Sequence, residues 1–203
     1  MWDIPTTESE VLYLCLEDTF YRIQDRLFKL TDEASSRLHF AISSNKLTDG
    51  LVEQLEGYMA KYPATKLIVI DTLQKVRTEA KDNSYASDYG DISQLKAFAD
   101  KHALAVIVVH HMRKQGDSDV FNKVSGTTGL TGCADASFVL ELDSRSTDTA
   151  KLYAIGIDIE YSAMLRSKTR TEYGVRRKRD AMYSGVLVLF FLSNDTITLC
   201  VKP

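Results

Sequence analysis

Three short apolar runs in the sequence each end in side chains that can act as bases, hydrogen-bond donors or cation ligands. Glu17 follows the run VLYLCL, Asp71 and Thr72 follow KLIVI, and His110 and His111 follow LAVIVV. Uninterrupted apolar runs of this length are typical of strands buried on both faces of a parallel sheet. Because such sheets bind ligands at the carboxyl ends of their strands, we expect two carboxylates and an imidazole to meet in one crevice.

The two carboxylates predict different chemistry. A single carboxylate at a rigid strand end suits Mg²⁺, which prefers oxygen ligands and keeps several waters, so Asp71 is the candidate magnesium ligand. Glu17 can orient and deprotonate an attacking water as a general base. The structural alternatives are that Asp71 caps the following turn and that Glu17 is a surface acid at a helix start. Asp18 is the better candidate for that capping role.

The two histidines are consecutive on a strand, so their side chains point to opposite faces and cannot chelate one metal together. We expect one of them to face the crevice and donate a hydrogen bond to a γ-phosphate, while the other packs within the fold. Arg113 and Lys114 follow, where cations could meet phosphate or DNA; the alternative is a solvated loop.

A glycine-rich segment, Gly126-Thr127-Thr128-Gly129-Leu130-Thr131-Gly132, superficially looks like a phosphate cradle. It lacks the GxxxxGK[ST] pattern and follows a late strand, so it is not a Walker A motif. None of the ten glycines begins such a motif. The segment is interpreted either as a loop that responds to nucleotide state or as an ordinary turn into a helix.

Strand and helix patterns alternate through residue 111, which predicts an α/β fold with a largely parallel sheet flanked by helices. Strands are predicted over 11–16, 38–43, 66–71, 104–111, 137–142 and 151–159, and helices over 19–30, 48–62 and 91–102. The predicted buried faces of the first two helices are Phe20, Ile23, Leu27 and Leu30, and Leu51, Leu55 and Met59. Thr48 or Asp49 is the predicted cap of the second helix.

The pattern degrades past residue 161, where a basic segment and a β-hairpin over 185–201 are predicted. Residues 1–160 hold 17 basic and 25 acidic residues, a net charge of −8, whereas residues 161–203 hold 8 and 3, a net of +5. We therefore divide the chain into a core, 1–160, and a divergent basic C-terminal segment, 161–203. The acidic core argues against a dominant nucleic-acid surface there.

Composition places the protein among ordinary folded domains, with 44% hydrophobic and 26% charged residues. Three separate cysteines without a CxxC pair predict neither a disulfide framework nor a zinc site. No signal peptide is visible, and the longest apolar run, 186–192, is far shorter than the roughly 20 residues of a membrane helix. A cytoplasmic protein without a membrane partner is expected.

Five segments resemble the RepA-like AAA ATPases, which are RecA-fold proteins related to hexameric replicative helicases and often found on plasmids and phages. The segments are SEVLYLCLEDTFYRIQDRL, KLIVIDTLQKVR, YASDYGDISQLKAFADKH, LAVIVVHHMRK and DVFNKVSGTTGLTGCADASFVLE. They stand in the family's order and spacing and cover roughly residues 9–160. The resemblance implies a RecA-like P-loop NTPase fold, ATP and Mg²⁺ as cofactors, and a role in DNA replication.

The resemblance also implies roles for individual residues. Glu17 occupies the catalytic glutamate position, Asp71 is the Walker B aspartate, and the pair His110-His111 lies where the family senses γ-phosphate. Thr72, next to Asp71, is expected with Asp71 and the two histidines to bind the nucleotide or its phosphates. The loop over 112–129 is expected to line the channel of a homo-oligomeric ring that binds single-stranded DNA. The residues of that loop proposed to contact DNA or phosphate are Arg113, Lys114, Gly126, Thr127 and Thr128.

Two departures from the family pattern lower the expected activity. The family's domain opens with a strand, a GxxxxGK[ST] loop and a helix, which would lie before Met1, so we expect a truncated chain. Ser125 stands where relatives can carry an arginine finger, which is worth about 10³–10⁵ in rate where it operates. We therefore expect impaired hydrolysis. The alternatives are a non-catalytic ring partner, a protein that binds DNA through residues 166–179, and a decayed gene product.

Overall fold

The computed structural model describes residues 7–77, 85–111, 129–142, 149–157, 162–167 and 185–191. The strands are β1 (Glu10–Cys15), β2 (Leu38–Ala41), β3 (Thr65–Asp71), β4 (Ala105–His111), β5 (Ala136–Leu142), β6 (Thr149–Gly156), β7 (Ser162–Ser167) and β8 (Gly185–Phe191). The helices are α1 (Phe20–Phe28), α2 (Leu51–Lys61), α3 (Leu73–Val76), α4 (Tyr85–His102) and α5 (Gly129–Cys133), with a 3₁₀ turn at Leu47–Asp49.

Within the described residues, eight strands form one sheet in the order β2-β1-β3-β4-β8-β5-β6-β7. The first four are parallel to one another, as expected where helices connect successive strands. Strand β8 is antiparallel to both β4 and β5, and β5, β6 and β7 are joined by antiparallel pairs. The prediction of an α/β fold with a parallel sheet flanked by helices is confirmed for these four parallel strands, three of which (β1, β3 and β4) carry the candidate site.

The core lies on the parallel half of the sheet. Strands β3 and β4 contribute Ile68, Ile70, Val106 and Val108, all fully buried, as their apolar runs predict. Helices α2 and α4 cover this sheet. The buried residues of α2 are Leu51, Leu55 and Met59, which confirms its predicted apolar face. The buried residues of α4 include Ile92, Leu95 and Phe98. The strand ends that carry polar side chains therefore follow directly on buried core residues.

Helix α1 does not bury the face that its periodicity predicts. Only Ile23 is buried in it, whereas Phe20 is 57% exposed and Leu30, which lies beyond the helix end, is 74% exposed. Periodicity shows which side chains share a face, but only the position of a helix on the sheet decides whether that face is covered.

Two helix starts also differ from the predictions. Gly50, with a φ of 93°, precedes α2 and provides no side-chain cap, so the prediction of Thr48 or Asp49 as the cap is wrong. A positive φ favours glycine, which explains why this residue lies at the junction between the 3₁₀ turn and the helix. Helix α4 begins at Tyr85, six residues before the predicted start, because its first turns lack an apolar period.

Several predicted features lie outside the described residues. These are the turn and second strand of the hairpin over 192–201, the loop over 112–128 and the basic stretch over 168–180. Two strands from the predicted C-terminal segment, β7 and β8, join the same sheet as the core. Among the described residues, the helices are all too short or too polar to cross a membrane.

Candidate functional site

The site forms where β1, β3 and β4 end side by side. In the register of the sheet, Cys15 of β1 is opposite Asp71 of β3, and Asp71 is opposite Val109 of β4. The backbone N–H of Leu16 donates to the carbonyl of Asp71 at 2.8 Å, which extends the pairing beyond β1. The predicted convergence of the three strand ends is thus present in the sheet, because parallel neighbours in register end at the same edge.

Glu17 is held from two neighbouring strand ends. It lies in the turn after β1, which is closed by a hydrogen bond from the Asp18 N–H to the Cys15 carbonyl at 3.1 Å. The Thr72 hydroxyl donates to Glu17 Oε1 at 3.0 Å, and His111 Nε2 lies 3.8 Å from Glu17 Oε2. The Glu17 side chain is 36% exposed, so its position is fixed while its carboxylate remains accessible to solvent.

Thr72 is itself fully buried, directly after β3. It is the N-cap residue of α3, where its side chain makes no capping hydrogen bond, and its hydroxyl donates to Glu17. A hydrogen bond to a charged group contributes about 1.5–3 kcal/mol. In this structure the hydroxyl of Thr72 therefore serves to orient the Glu17 carboxylate.

The two histidines separate as strand geometry requires. His110 is 5% exposed and shares its face of β4 with the buried Val106 and Val108. The His111 side chain is 25% exposed and lies beside Glu17. His111 is therefore the histidine of the crevice, and His110 belongs to the opposite, packed face.

Asp71 lies half-buried at the end of β3. The Tyr13 hydroxyl donates a hydrogen bond to Asp71 Oδ2 at 2.9 Å. Burial raises the pKa of Asp71 above its ordinary value, and the nearby negative charges of Glu17 and Asp18 act in the same direction. The hydrogen bond from Tyr13 and the proximity of His111 lower the pKa in part. The site therefore holds a carboxylate that is costly to ionise unless a cation lies near it.

Two further side chains of β1 share this face. Tyr13 and Cys15 lie two residues apart on one face of β1. Burial is the main cause that raises the pKa of both groups, and the charge of Asp71 is the second; the pKa of Cys15 rises to about 12. The sequence pattern alone did not single out Tyr13. The available signal was the alternation of strand side chains, which places residues 13 and 15 on one face of β1, just before Glu17.

Asp18 does not cap α1. The N-cap is Thr19, whose side chain accepts a hydrogen bond from the Arg22 N–H at 3.4 Å. Asp18 instead forms ion pairs with Arg22, at 3.0 Å, and with Arg26. These contacts fix the segment between the Glu17 turn and α1.

The donor set fits a magnesium ion that is bound mainly by a nucleotide. Among the described residues, no group of three or more His, Cys, Asp or Glu side chains is placed to hold a metal ion by itself. Mg²⁺ at phosphate sites usually needs only one or two carboxylates, with phosphate and water oxygens completing its shell. Asp71 provides one such carboxylate. The predicted contacts Arg113, Lys114, Gly126, Thr127 and Thr128 lie outside the described residues.

Comparisons with known proteins concern the family and the fold of the chain. A family model described as an AAA domain matches residues 1–117. Among solved structures, the chain is similar to one described as an ATPase domain, with 14% sequence identity and a TM-score of 0.58 over 77% of this chain and 70% of that one. At this identity the likeness concerns the fold. No curated protein sequence matches the chain.

Proposed function

Because this chain belongs to the AAA domain family, whose model matches more than half of it, we propose that it is the ATP-binding and hydrolysing domain of a RepA-like DNA helicase or replication protein. The observation that carries the proposal is the meeting of Glu17, Asp71 and His111 at three adjacent strand ends. A carboxylate for Mg²⁺, a second carboxylate for water and an imidazole for phosphate are the groups that phosphoryl transfer needs in one crevice.

Each residue has a distinct role in the proposed reaction. Asp71 would hold the Mg²⁺ of MgATP, and that ion would neutralise charge on the phosphates. Glu17 orients a water and takes its proton as the water oxygen bonds to the γ-phosphorus and the bond from that phosphorus to the β–γ bridging oxygen breaks. Thr72 keeps the Glu17 carboxylate in place. His111 donates a hydrogen bond to the γ-phosphate. Because it also lies beside Glu17, it couples phosphate binding to the position of the catalytic base.

Nucleotide binding tests the metal role without relying on turnover. A fluorescent ATP analogue is titrated into the 203-residue chain in Mg²⁺ and in EDTA. We expect Mg²⁺ to tighten binding to the wild type and to have little effect on Asp71→Asn, because that variant loses the anionic ligand. Asp32→Asn, which changes an exposed acid in the loop after α1, is the matched control and should retain the Mg²⁺ effect. An undiminished Mg²⁺ effect in Asp71→Asn would overturn the proposed function.

Glu17→Gln separates binding from chemistry in the same assay. The variant should bind the analogue as tightly as the wild type, whereas any hydrolysis should fall by about 10²–10⁴, the usual contribution of a general base. The sequence has no GxxxxGK[ST] loop, whose N–H groups and lysine cradle phosphates, so we expect the isolated chain to hydrolyse ATP slowly. Rapid Mg²⁺-dependent hydrolysis would contradict the expected impairment.

We further propose that the protein acts on single-stranded DNA as part of a homo-oligomeric ring, with residues 161–203 contributing to DNA contact. Their net charge of +5, beside a core of −8, supports this. Binding to a labelled oligonucleotide should weaken with salt. Arg176→Ala, Arg177→Ala and Arg179→Ala combined should reduce the salt slope by about 2, because each phosphate contact on a single strand contributes about 0.7.

A triple variant of exposed lysines in the core, at positions 29, 61 and 66, controls for net charge. It should leave the salt slope unchanged, since those lysines lie just after α1, at the end of α2 and near the start of β3. Equal losses in the two triple variants would mean that net charge alone drives binding. If binding to the oligonucleotide shows no dependence on salt, the proposed DNA role of the protein would fail, and with it the proposed DNA contact of residues 161–203.

A further inference from the structure

We propose that Tyr13 is a positioning residue for the metal site, whose hydroxyl fixes the Asp71 carboxylate in the orientation that receives Mg²⁺. The inference rests on the proposed function, and it assigns a role to a residue outside the catalytic glutamate, aspartate and histidine. Its basis is the 2.9 Å hydrogen bond from the Tyr13 hydroxyl to Asp71 Oδ2, across two neighbouring strands.

The register of the sheet explains why a tyrosine makes this contact. Tyr13 is opposite Val69 in β3, so Asp71 lies two residues further along the partner strand on the same face. To reach Asp71, the side chain must cross the spacing between the strands and extend about two residues along the partner strand, which a tyrosine can do and a short side chain cannot. Cys15 is directly opposite Asp71, but its thiol lies 3.8 Å from the Tyr13 carbonyl and is a weak donor.

The tyrosine ring is supported from its other side. Its centroid lies 6.1 Å from that of Phe40 on β2, with the rings tilted by 35°. The ring is thus set between the edge strand and β3, and its hydroxyl points to the end of β3. A side chain that is fixed by packing can fix the side chain to which it is hydrogen-bonded. Residues that do not bind a metal themselves orient its ligands in this way.

The hydrogen bond leaves the carboxylate able to bind a cation. A carboxylate has two oxygens and about four acceptor positions, and Tyr13 occupies one position on Oδ2. The final torsion of an aspartate side chain is broad when nothing restrains it. Because the hydrogen bond already fixes this torsion, Mg²⁺ binding costs less conformational entropy at the Asp71 side chain. The second oxygen, Oδ1, remains for the metal.

The experiment measures metal binding directly. Mg²⁺ is titrated into the full chain at a fixed concentration of the fluorescent ATP analogue, and Mn²⁺ binding is followed by electron paramagnetic resonance. Tyr13→Phe keeps the ring on Phe40 and removes only the hydroxyl. We expect the Mg²⁺ and Mn²⁺ midpoints to rise by about 10–100-fold, the usual effect of losing an outer hydrogen bond to a metal ligand. Analogue binding in EDTA should not change.

Tyr58→Phe is the matched control, because the Tyr58 hydroxyl is also part-buried and pairs with His39 Nδ1 at 2.7 Å rather than with a carboxylate of the site. Removing a hydroxyl that has only a structural role should lower the melting temperature and leave the metal midpoints unchanged. This is the result expected for Tyr58→Phe. An unshifted midpoint in Tyr13→Phe, with a wild type that does respond to Mg²⁺, would overturn the role of Tyr13 alone. A wild type whose analogue binding ignores Mg²⁺ would overturn the proposed function as well.

Discussion

Asp71 carries a charge that the apo fold accommodates poorly. The side chain is half-buried, and burial disfavours its ionised form, as do the nearby acids Glu17 and Asp18. The Tyr13 hydroxyl and His111 favour the ionised form, but they offset only part of this effect. A folded-state pKa above the ordinary value of 3.8 means that ionisation costs stability in the folded protein. The same cost makes the site favourable for a divalent cation, whose charge removes the penalty.

This cost predicts that Asp71→Asn stabilises the nucleotide-free, metal-free protein. The folded state binds the Asp71 proton more tightly than the unfolded state, so the contribution of this group to stability falls as pH rises from the ordinary pKa through the raised one. The melting temperature of Asp71→Asn in EDTA should therefore exceed that of the wild type at neutral pH. The advantage should disappear well below the ordinary pKa of 3.8, where the aspartate is protonated in both states.

Asp32→Asn again provides the comparison, because that exposed acid should show no gain at either pH. A neutral-pH melting temperature lower in Asp71→Asn than in the wild type would show that the carboxylate stabilises the apo fold. In that case the interpretation of Asp71 as a destabilising anion would fail, even if Asp71 binds metal.

At the scale of elements, β8 has an unusual position. Among the strands of the described residues it comes last in sequence, but it lies between β4 and β5, antiparallel to both. Residue 189 of this strand is opposite Val108 on one side and Ser137 on the other. Both edges of β8 are therefore used, and the strand joins the parallel half of the sheet to the antiparallel half.

A proline in β8 tests this position. Leu189→Pro removes a backbone N–H from a strand paired on both sides, and the partner carbonyl loses its donor at a cost of about 1–3 kcal/mol, to which strand distortion adds. We expect a lower melting temperature and a lower urea midpoint for Leu189→Pro than for Leu189→Ala, which keeps the N–H. Equal losses in the two variants would show that β8 contributes little through its backbone.

At the scale of the whole molecule, a side-chain contact also ties the two halves of the sheet together. Lys96 of α4 donates to both carboxylate oxygens of Asp135, each at 2.8 Å, just before β5. The Asp135 carbonyl accepts the N–H of Ile157 at 2.9 Å, and a Cβ on Gly156 would lie 2.6 Å from the same carbonyl oxygen. The close approach requires glycine at 156. The helix over the parallel half thus reaches the first strand of the antiparallel half.

Much of the parallel half followed from the sequence. The apolar runs of β3 and β4 predicted buried strands because a strand covered on both faces must be apolar throughout. The spacing of Leu51, Leu55 and Met59 predicted the buried face of α2. The antiparallel insertion of β8 could not be predicted, because pairing between strands distant in sequence is decided by the sheet as a whole.

The sequence by itself determined which side chains end the three strands and that His110 and His111 cannot share a face, since strand geometry has a period of two. Only the tertiary structure decided that His111 faces Glu17, that Thr72 orients Glu17 and that Tyr13 reaches Asp71. These contacts join residues of different strands, and they depend on strand order and register. Local periodicity tells which side chains share a face of a strand, but not which strands are neighbours in the sheet.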